Sequence, residues 1–332
     1  MNAAAPASHD RDGSVLALSG GIGGAKLALG LSRVLPAGKL IVVANTGDDF
    51  EHLGLYISPD LDTLMYTLAG IDNPETGWGL RSETWNFLTA LDALGGETWF
   101  RLGDRDLATH VERTRRLRGG ETLSRIAQDF CGRLGVETRL LPMSDDAVRT
   151  RVRSGEGWLD FQDYFVRRRC EPAVVELAYE GADAARAQPE FMAALADPRL
   201  RAIVICPSNP FLSIDPILAL PGVRAALAIA PAPVVAISPI IAGRAIKGPT
   251  AKMMRELGFE ATAAAVARHY GDLLDGCLVE YGDAGIAAPS GVEVRGAATL
   301  MTSLADREVL AREVLAFADS LRSRAEAAGA SA

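Results

Sequence analysis

The sequence predicts an α/β protein with a Rossmann-like, doubly wound and mainly parallel sheet, a largely helical insertion and a small β-rich segment. Short apolar runs without polar interruption, such as Val15-Leu-Ala-Leu18, are typical of strands buried on both faces. Several runs end in clusters of Gly, Asn, Asp, Ser or Pro. Parallel sheets built from right-handed crossovers bring such strand ends to one edge, where ligands bind.

The composition is that of an ordinary soluble enzyme. Of 332 residues, 48% are hydrophobic and 23% are charged, and the net charge of −8 argues against nucleic acid as a partner. Four scattered cysteines without a C-x-x-C pair indicate buried thiols in a reducing compartment, and the four histidines share no spacing typical of a zinc site. No apolar run suits a signal peptide or a membrane span. We therefore expect a cytoplasmic protein without a membrane partner.

Changes in pattern divide the chain into six segments. In order, these are a disordered tail (1–12), the first part of the Rossmann-like core (13–75), a helical insertion or cap (76–138), a β-rich segment (139–180), the second part of the core (181–321) and a frayed tail (322–332). The insertion contains three helical patterns. In the β-rich segment, Ser154-Gly-Glu-Gly157 is a hairpin signal, and the strand predicted after it runs from Trp158 to Val166. A closing helix is predicted from Leu304 to Leu321.

A glycine turn follows the first predicted strand. In Ser19-Gly-Gly-Ile-Gly-Gly-Ala-Lys26, four glycines precede a helical pattern that runs from Ala25 to Leu35. A strand, a glycine turn and a helix in that order aim backbone N–H groups at one point and stabilise an anion there, which predicts a phosphate cradle. A tight turn whose glycines only relieve crowding is the alternative. Neither standard nucleotide-binding motif is present. Lys26 stands where the dinucleotide-binding fingerprint needs its third glycine. A P-loop needs Ser or Thr after its lysine, whereas Lys26 precedes a leucine.

Four aspartates are predicted to lie near this turn. Leu40-Ile-Val-Val-Ala44 predicts a second buried strand, which ends in Asn45-Thr-Gly-Asp-Asp49. Ser58-Pro59 is typical of a helix start, and the opening turn of that helix, which extends to about Leu68, carries Asp60 and Asp62. The two helix aspartates could simply complement the helix dipole. Four carboxylates beside a phosphate would instead repel one another unless a divalent cation lies among them.

Other polar clusters also follow predicted strands or helices. Arg101, in a turn of the insertion, is either a solvated residue or a contact for an anionic or planar ligand. The predicted strand Ala202–Cys206 runs into Pro207-Ser-Asn-Pro210, and Lys247 with Gly248 precedes a further helix. The residues alone therefore predict phosphoryl-type transfer with magnesium.

The sequence also resembles the 2-phospho-L-lactate transferase and phosphoenolpyruvate transferase family of coenzyme F-420 (deazaflavin) biosynthesis. The resemblance spans about residues 14 to 302, and the strings Ser-Pro-Asp-Leu-Asp-Thr and Leu-Gly-Asp-Arg-Asp are the most specific. The matching segments, in family order, are Ser19–Lys26, Asn45–Asp49, Ile57–Thr63, Leu102–His110, Leu141–Asp146, Phe161–Asp163, Pro207–Pro210, Ser238–Ile241 and Leu300–Thr302.

This resemblance implies a magnesium-dependent transferase. It would move a phosphorylated three-carbon acid from a GMP-activated diphosphate donor to the deazaflavin FO (7,8-didemethyl-8-hydroxy-5-deazariboflavin), releasing GMP. The acid could be phosphoenolpyruvate, 2-phospho-L-lactate or 3-phosphoglycerate, among which the sequence does not decide. A homodimer is also implied.

The same resemblance assigns site residues. Asp62 and Arg101 resemble residues that contact the deazaflavin, and Asp49 and Asp60 resemble carboxylates that bind metal or face the acceptor. We hypothesise that Asp62, with Asp60 beside it, is catalytic and orients the acceptor hydroxyl. The donor and its phosphates would contact Gly20, Gly21, Gly23, Gly24, Lys26, Ser208, Asn209, Gly243 and Lys247.

Two other classes of protein share some of these features. An NAD(P)-dependent oxidoreductase fits the glycine turn, but Lys26 and the absence of a recognisable tyrosine or histidine proton-donor motif argue against it. A non-catalytic nucleotide-binding protein would need the phosphate cradle but not the aspartates. Binding of a deazaflavin would separate both classes from the transferase.

Overall fold

The apolar runs form one seven-stranded parallel sheet flanked by helices, which confirms the predicted fold class. The computed structural model describes residues 12–246, 248–287 and 289–329. Its strands are β1 (Val15–Ser19), β2 (Leu40–Ala44), β3 (Phe50–His52), β4 (Leu55–Ile57), β5 (Arg139–Pro142), β6 (Arg149–Ser154), β7 (Gly157–Asp160), β8 (Glu176–Glu180), β9 (Ala202–Ile205), β10 (Val234–Ile237), β11 (Ile240–Ile241), β12 (Arg244–Ala245), β13 (Gly276–Glu280) and β14 (Glu293–Ala297). Its α-helices are α1 (Gly21–Val34), α2 (Pro59–Ala69), α3 (Asn86–Ala93), α4 (Asp106–Arg118), α5 (Leu123–Arg133), α6 (Pro189–Leu195), α7 (Asp215–Leu218), α8 (Val223–Ala228), α9 (Thr250–Glu256), α10 (Ala263–Tyr270) and α11 (Leu304–Gly329).

The strand order of the large sheet is β14-β13-β10-β9-β1-β2-β5. Val15 of β1 lies opposite Leu40 of β2 on one side and Ala202 of β9 on the other. From β1 the chain adds strands in one direction, and from β9 it adds them in the opposite direction. The carboxyl ends of β1 and β9 therefore meet at the switch point of the sheet, where open α/β sheets bind their ligands.

Both faces of the sheet are packed. Successive side chains of a strand point to opposite faces, so Leu16 and Leu18 of β1 join one apolar core and Val15 and Ala17 join the other. The first core contains side chains of α6, α8 and α10, and the second contains side chains of α1, α2 and α11. This arrangement explains why the predicted strands are apolar throughout rather than alternating.

Smaller elements lie around the large sheet. The helical insertion holds α3, α4 and α5, and β7, β6 and β8 form a separate antiparallel sheet. The second strand of the predicted hairpin, Trp158 to Val166, is only partly a strand. After Asp160 the chain becomes helical, with a π-helical turn over Asp163–Arg167, and this buries Phe161 and Tyr164 on one side. Their three-residue spacing suits a helical turn, whereas a strand would place them on opposite faces.

Two helix boundaries also differ from the sequence prediction. Helix α1 begins at Gly21 rather than Ala25, and α11 continues to Gly329, through most of the segment expected to fray. Residues 1–11 of the predicted disordered tail lie outside the described residues. Within the described ranges, every helix is either too short or too polar to cross a membrane.

Candidate active site

A cavity of about 560 Å³ opens at the switch point of the sheet. Its walls come from the glycine turn after β1, the first turn of α2, the loops after β9, β10 and β14, and the helical insertion. The predicted site residues that line it are Gly20, Gly21, Gly23, Lys26, Asp60, Asp62, Arg101, Ser208 and Asn209. The fold thus brings together residues that are distant in the chain, such as Gly20 and Asn209, which are 189 positions apart.

Three predicted site residues with described positions lie outside the lining. A Cβ atom on Gly24 would lie 2.3 Å from the Ser19 Oγ, so this glycine permits close packing behind the cavity. Gly243 has a positive φ of 73° and forms the tight turn between β11 and β12. Asp49 is treated below. Lys247 lies outside the described residues.

The glycine turn is already hydrogen-bonded within the protein. The Gly20 N–H donates to the Ser208 Oγ at 3.2 Å, and the Gly21 N–H donates to the Asp60 Oδ1 at 2.7 Å. The Asp60 carboxylate therefore caps the first turn of α1 from a different helix. Ile22 and Gly23 occupy the same first turn, where N–H groups have no intrahelical acceptor. Such first-turn N–H groups can donate to an acceptor outside the helix.

Asp48 and Asp60 form a buried acidic pair on the cavity wall. The Asp60 Oδ2 also accepts a hydrogen bond of 2.9 Å from the Asn45 Nδ2. The Asp48 Oδ1 has no hydrogen-bond partner among the described residues, although Asp48 is only 7% exposed. Burial raises the pKa of both carboxyls, and the charge of Asp60 raises the pKa of Asp48 further. A bound divalent cation would relieve this repulsion, so the pair fits such an ion.

Asp49 is held away from the cavity. Its two oxygens accept hydrogen bonds from the Tyr56 hydroxyl at 2.9 Å and the Ser58 Oγ at 2.8 Å. Burial raises the pKa of Asp49 to about 7, against the opposing charge of Arg149. These contacts favour a structural role for Asp49. Of the two adjacent aspartates, Asp48 lines the cavity and Asp49 does not.

Asp62 is fixed by an arginine that the sequence analysis missed. Both oxygens of Asp62 accept hydrogen bonds from the guanidinium of Arg113, through Nη1 at 3.0 Å and through Nη2. The Arg113 Nη1 also donates to the Tyr56 carbonyl at 3.3 Å, and Arg113 is 1% exposed. Burial raises the pKa of Asp62, while the charge of Arg113 opposes that rise.

Asp62, Asp106 and His110 form a group that could hold a metal ion, because one ligand atom from each lies within 4.8 Å of the others. The His110 Nδ1 is 3.7 Å from the Asp62 Oδ2, and its Nε2 is 3.4 Å from the Asp106 Oδ2. Burial opposes ionisation of Asp106, but His110 and the Tyr66 hydroxyl outweigh it and lower the pKa of Asp106. The sequence signal for this group was the spacing of Asp106, His110 and Arg113 along one face of α4.

An aromatic wall closes the side of the cavity formed by the insertion. It consists of Phe50, His52, Trp99 and Phe100, of which Trp99 and Phe100 line the cavity. The Phe50 and Phe100 rings are 4.8 Å apart, and the His52 and Trp99 rings are 5.0 Å apart. The guanidinium of Arg101 lies 4.1 Å from the ring centroid of Trp85. Such surfaces suit a planar aromatic ligand.

The remaining predicted contacts also have partners in the protein. Lys26 Nζ donates to the Met301 carbonyl at 2.9 Å, which holds its charge at the cavity wall. The Asn209 Oδ1 accepts hydrogen bonds from the N–H groups of Phe211 and Leu212, so Asn209 caps the following helical turn. The Asn209 side-chain oxygen is therefore engaged in this local cap.

The fold and the cavity define an α/β protein with a candidate ligand site at the switch point of a parallel sheet. The model of the 2-phospho-L-lactate transferase CofD family matches residues 15–294, so the chain belongs to that family. It is a transferase of the phospho-acid type, which confirms the resemblance noted in the sequence and favours the transferase over the oxidoreductase and non-catalytic alternatives.

Similar proteins from several bacteria cover nearly the whole chain. The phosphoenolpyruvate transferase of Streptomyces avermitilis is 43% identical over 317 residues, covering 93% of this chain and 99% of that protein. The phosphoenolpyruvate transferase of Mycolicibacterium smegmatis is 41% identical over 326 residues, covering 92% and 98%. A crystal structure of a UPF0052 family protein from Bacillus halodurans has a TM-score of 0.60 at 15% identity, covering 91% and 98%, which shows the shared fold.

Proposed function

We propose that the protein transfers a phosphoenolpyruvyl group from a GMP-activated diphosphate donor to a hydroxyl of the deazaflavin FO, as a step of coenzyme F-420 biosynthesis. The names of the bacterial relatives support phosphoenolpyruvate over 2-phospho-L-lactate and 3-phosphoglycerate. The acceptor oxygen bonds to the phosphorus that carries the acid. The bond from that phosphorus to the GMP phosphate breaks, GMP leaves with the bonding electrons, and the hydroxyl proton passes to a base.

The observation that carries this proposal is the buried pair of Asp48 and Asp60 at the N-terminus of α1. A donor diphosphate at that helix end would meet the Asp60 carboxylate as well as the free N–H groups of Ile22 and Gly23. Repulsion between phosphate and carboxylate disfavours binding unless a cation joins them. Magnesium prefers oxygen ligands and is commonly bound through one or two carboxylates plus substrate phosphates.

We assign the magnesium to Asp48 and Asp60, so that Asp48 replaces Asp49 of the original expectation as a metal ligand. The unpartnered Asp48 Oδ1 supports this choice, as do the two hydrogen bonds that occupy Asp49. When bound, magnesium would offset charge on the diphosphate and on the departing GMP. The nearby charge of Lys26 has the sign needed to add to this effect.

The deazaflavin is assigned to the opposite part of the cavity, between the aromatic wall and Asp62. A planar ring would stack on Trp99 or Phe100, with Arg101 beside it. Asp62 would accept a hydrogen bond from the acceptor hydroxyl and orient it toward the donor. The contact with Arg113 gives Asp62 a fixed position, which supports orientation, but it also weakens Asp62 as a base.

The homodimer and the cytoplasmic location stay predictions. Light scattering of the purified full chain tests the first, and a mass close to twice 35.1 kDa is the expected result. Fractionation of the native host tests the second, with the protein expected in the soluble cytoplasmic fraction.

The proposed chemistry is tested by separating binding from turnover. Asp48→Asn should retain FO binding, measured by deazaflavin fluorescence, and should lose about 10²-fold or more in turnover at subsaturating Mg²⁺. Asp183→Asn, at an exposed aspartate outside the cavity, is the matched control and should leave both unchanged. Full turnover by Asp48→Asn would contradict the assignment of magnesium to Asp48 and Asp60. Failure of the wild type to bind FO would contradict FO as the acceptor substrate.

A further inference from the structure

We infer that Asp62, Asp106 and His110 form a second cation site, distinct from the Asp48–Asp60 pair, for a divalent transition ion that accepts imidazole nitrogen together with carboxylate oxygen. All three side chains line the cavity, and their ligand atoms lie within 4.8 Å of one another. Zn²⁺ and Mn²⁺ belong to this class, as does Co²⁺, which serves as a spectroscopic probe. The inference stands on this cluster alone and does not depend on the proposed reaction.

The independent observation is the state of His110. Its side chain is 2% exposed, and neither ring nitrogen makes a hydrogen bond within the part of the chain that the structure describes. The nearest carboxylate oxygens, at 3.7 Å and 3.4 Å, are beyond ordinary hydrogen-bond length. A buried imidazole without a partner is unfavourable, and a metal ion would supply the missing partner.

The local charge favours a cation. A metal ion binds the ionised carboxylates and the neutral imidazole. In that form Asp62 and Asp106 contribute two negative charges and Arg113 one positive charge, so the cluster has a net charge of minus one. The Tyr66 hydroxyl, which donates to Asp106, is neutral. Buried charges in proteins are paired or bound to metals, and a bound cation would balance this negative charge.

Both carboxylates are held by groups behind them, as metal-ligating carboxylates commonly are. Tyr66 donates to the Asp106 Oδ1 at 2.6 Å, which leaves the Asp106 Oδ2 directed toward His110. Arg113 donates to both oxygens of Asp62, and each oxygen keeps a second lone pair for a metal ion. Such outer partners fix ligand orientation and raise metal affinity.

The donor set separates this site from the magnesium site. The Asp48–Asp60 pair offers oxygen atoms, which suit Mg²⁺, whereas an imidazole ligand suits Zn²⁺ and related transition ions. Three protein ligands leave coordination positions open toward the cavity, as in metal sites that bind a water or a substrate. The sequence argued against such a site because the histidines are scattered, but the fold provides the other ligands from α2 and the start of α4.

Titration of the purified full chain with Co²⁺, in excess Mg²⁺ and without substrates, tests the inference. We expect one Co²⁺ per chain with visible absorption bands of a nitrogen- and oxygen-ligated ion. His110→Asn should weaken this binding by at least about tenfold, and Asp48→Asn should leave it unchanged. Asp106→Asn, which keeps the side-chain shape, provides a second test should His110→Asn fail to fold by circular dichroism.

Two results would overturn the site. One is wild-type protein that shows no bound Co²⁺ in excess Mg²⁺, and the other is equal Co²⁺ affinity in the wild type and in a folded His110 or Asp106 variant. Loss of the absorption bands in Asp48→Asn would show that Co²⁺ binds at the Asp48–Asp60 pair, which would also refute its assignment to Asp62, Asp106 and His110. Because no substrate is present, these outcomes are independent of whether FO accepts a phospho-acid.

Discussion

Arg113 and Asp62 form a bidentate ion pair in the wall of the cavity, in which the Arg113 Nη1 lies 3.0 Å from the Asp62 Oδ2. Arg113 is the largest fully buried side chain among the described residues, and Asp62 is 5% exposed. The pair joins α2 to α4, so it links the sheet core to the helical insertion. A residue predicted to act on the acceptor is therefore also part of the structural framework.

Removing either partner should destabilise the fold. Asp62→Asn leaves a buried guanidinium without its counterion, and Arg113→Met leaves a buried carboxylate, each costing about 3–5 kcal/mol. The double variant should recover most of this loss because the two opposite charges of the pair are removed together, while its turnover should stay low. Urea unfolding and turnover of the three variants measure both effects. Arg115→Met, at an exposed pair with Glu112, should leave stability nearly unchanged.

Equal stability losses in the single and double variants would contradict this coupling. Recovery of turnover in the double variant would show that Asp62 acts only through the stability of the fold. Nothing in the sequence indicated a buried partner for Asp62, so the sequence alone could not predict this loss of stability.

The raised pKa of Asp49 should make stability fall as the pH rises from about 4 to about 7. The pKa of Asp49 is raised from 3.8 to about 7 in the folded protein, so the folded state holds a proton that the unfolded state has lost. The resulting stabilisation is complete below the unfolded pKa and is lost as the pH rises to about 7, by up to about 4 kcal/mol. The pKa values of Asp48 and Asp60 are shifted in the same direction.

Asp49→Asn should therefore flatten this pH dependence without abolishing it. Urea unfolding at about pH 5 and about pH 8, without divalent ions, measures the difference between the two proteins. An unchanged slope in the variant would mean that Asp49 is ionised in the folded protein throughout this range.

Magnesium should stabilise the protein in the absence of substrate. A cation between Asp48 and Asp60 favours their ionised forms in the folded state alone, which gives about 1.4 kcal/mol at a Mg²⁺ concentration tenfold above the Kd. Thermal unfolding at about pH 7.5 should show a rise in Tm that Asp48→Asn loses and Asp49→Asn keeps. Equal responses in the two variants would contradict the choice of Asp48 over Asp49.

Close packing at Gly24 should make this position intolerant of a side chain. An added Cβ would lie 2.3 Å from the Ser19 Oγ and 2.6 Å from the Ser208 Oγ, so Gly24→Ala should displace Ser208 and cost about 1–3 kcal/mol. Gly132→Ala in α5 is the control, because nothing lies within 4 Å of its added Cβ, and it should change stability by less than about 1 kcal/mol in the stabilising direction. Urea unfolding of both variants provides the comparison.

The central sheet could be predicted because each of its strands is recognisable from its own short stretch of sequence. Val15–Ser19 and Leu40–Ala44 are apolar on both faces, and that pattern alone indicates a buried parallel strand. The start of α1 was placed four residues late because glycines are poor helix formers, and its cap, Asp60, comes from another helix. The segment after Asp160 was misassigned because a short apolar run fits either a strand or a helical turn.

Cavity residues that lie in a recognisable sequence motif could be predicted. Those brought together only by tertiary packing could not. Asp60 and Asp62 stand in a conspicuous helix start, whereas Asp106, His110 and Arg113 become significant only when α4 packs beside α2. The choice between Asp48 and Asp49 required the hydrogen bonds of Tyr56 and Ser58. Neighbouring residues point in different directions, and sequence spacing does not tell which one faces a ligand.

The most direct test of the proposed function is a turnover assay with the purified protein, Mg²⁺ and FO. Guanylated donors made from phosphoenolpyruvate, 2-phospho-L-lactate and 3-phosphoglycerate are supplied separately, and products are followed by mass. We predict GMP release and a phosphoenolpyruvyl deazaflavin from the first donor, with much slower product formation from the other two. Product from a different donor alone would contradict the assigned acid, and no product from any donor would contradict the proposed transfer to FO.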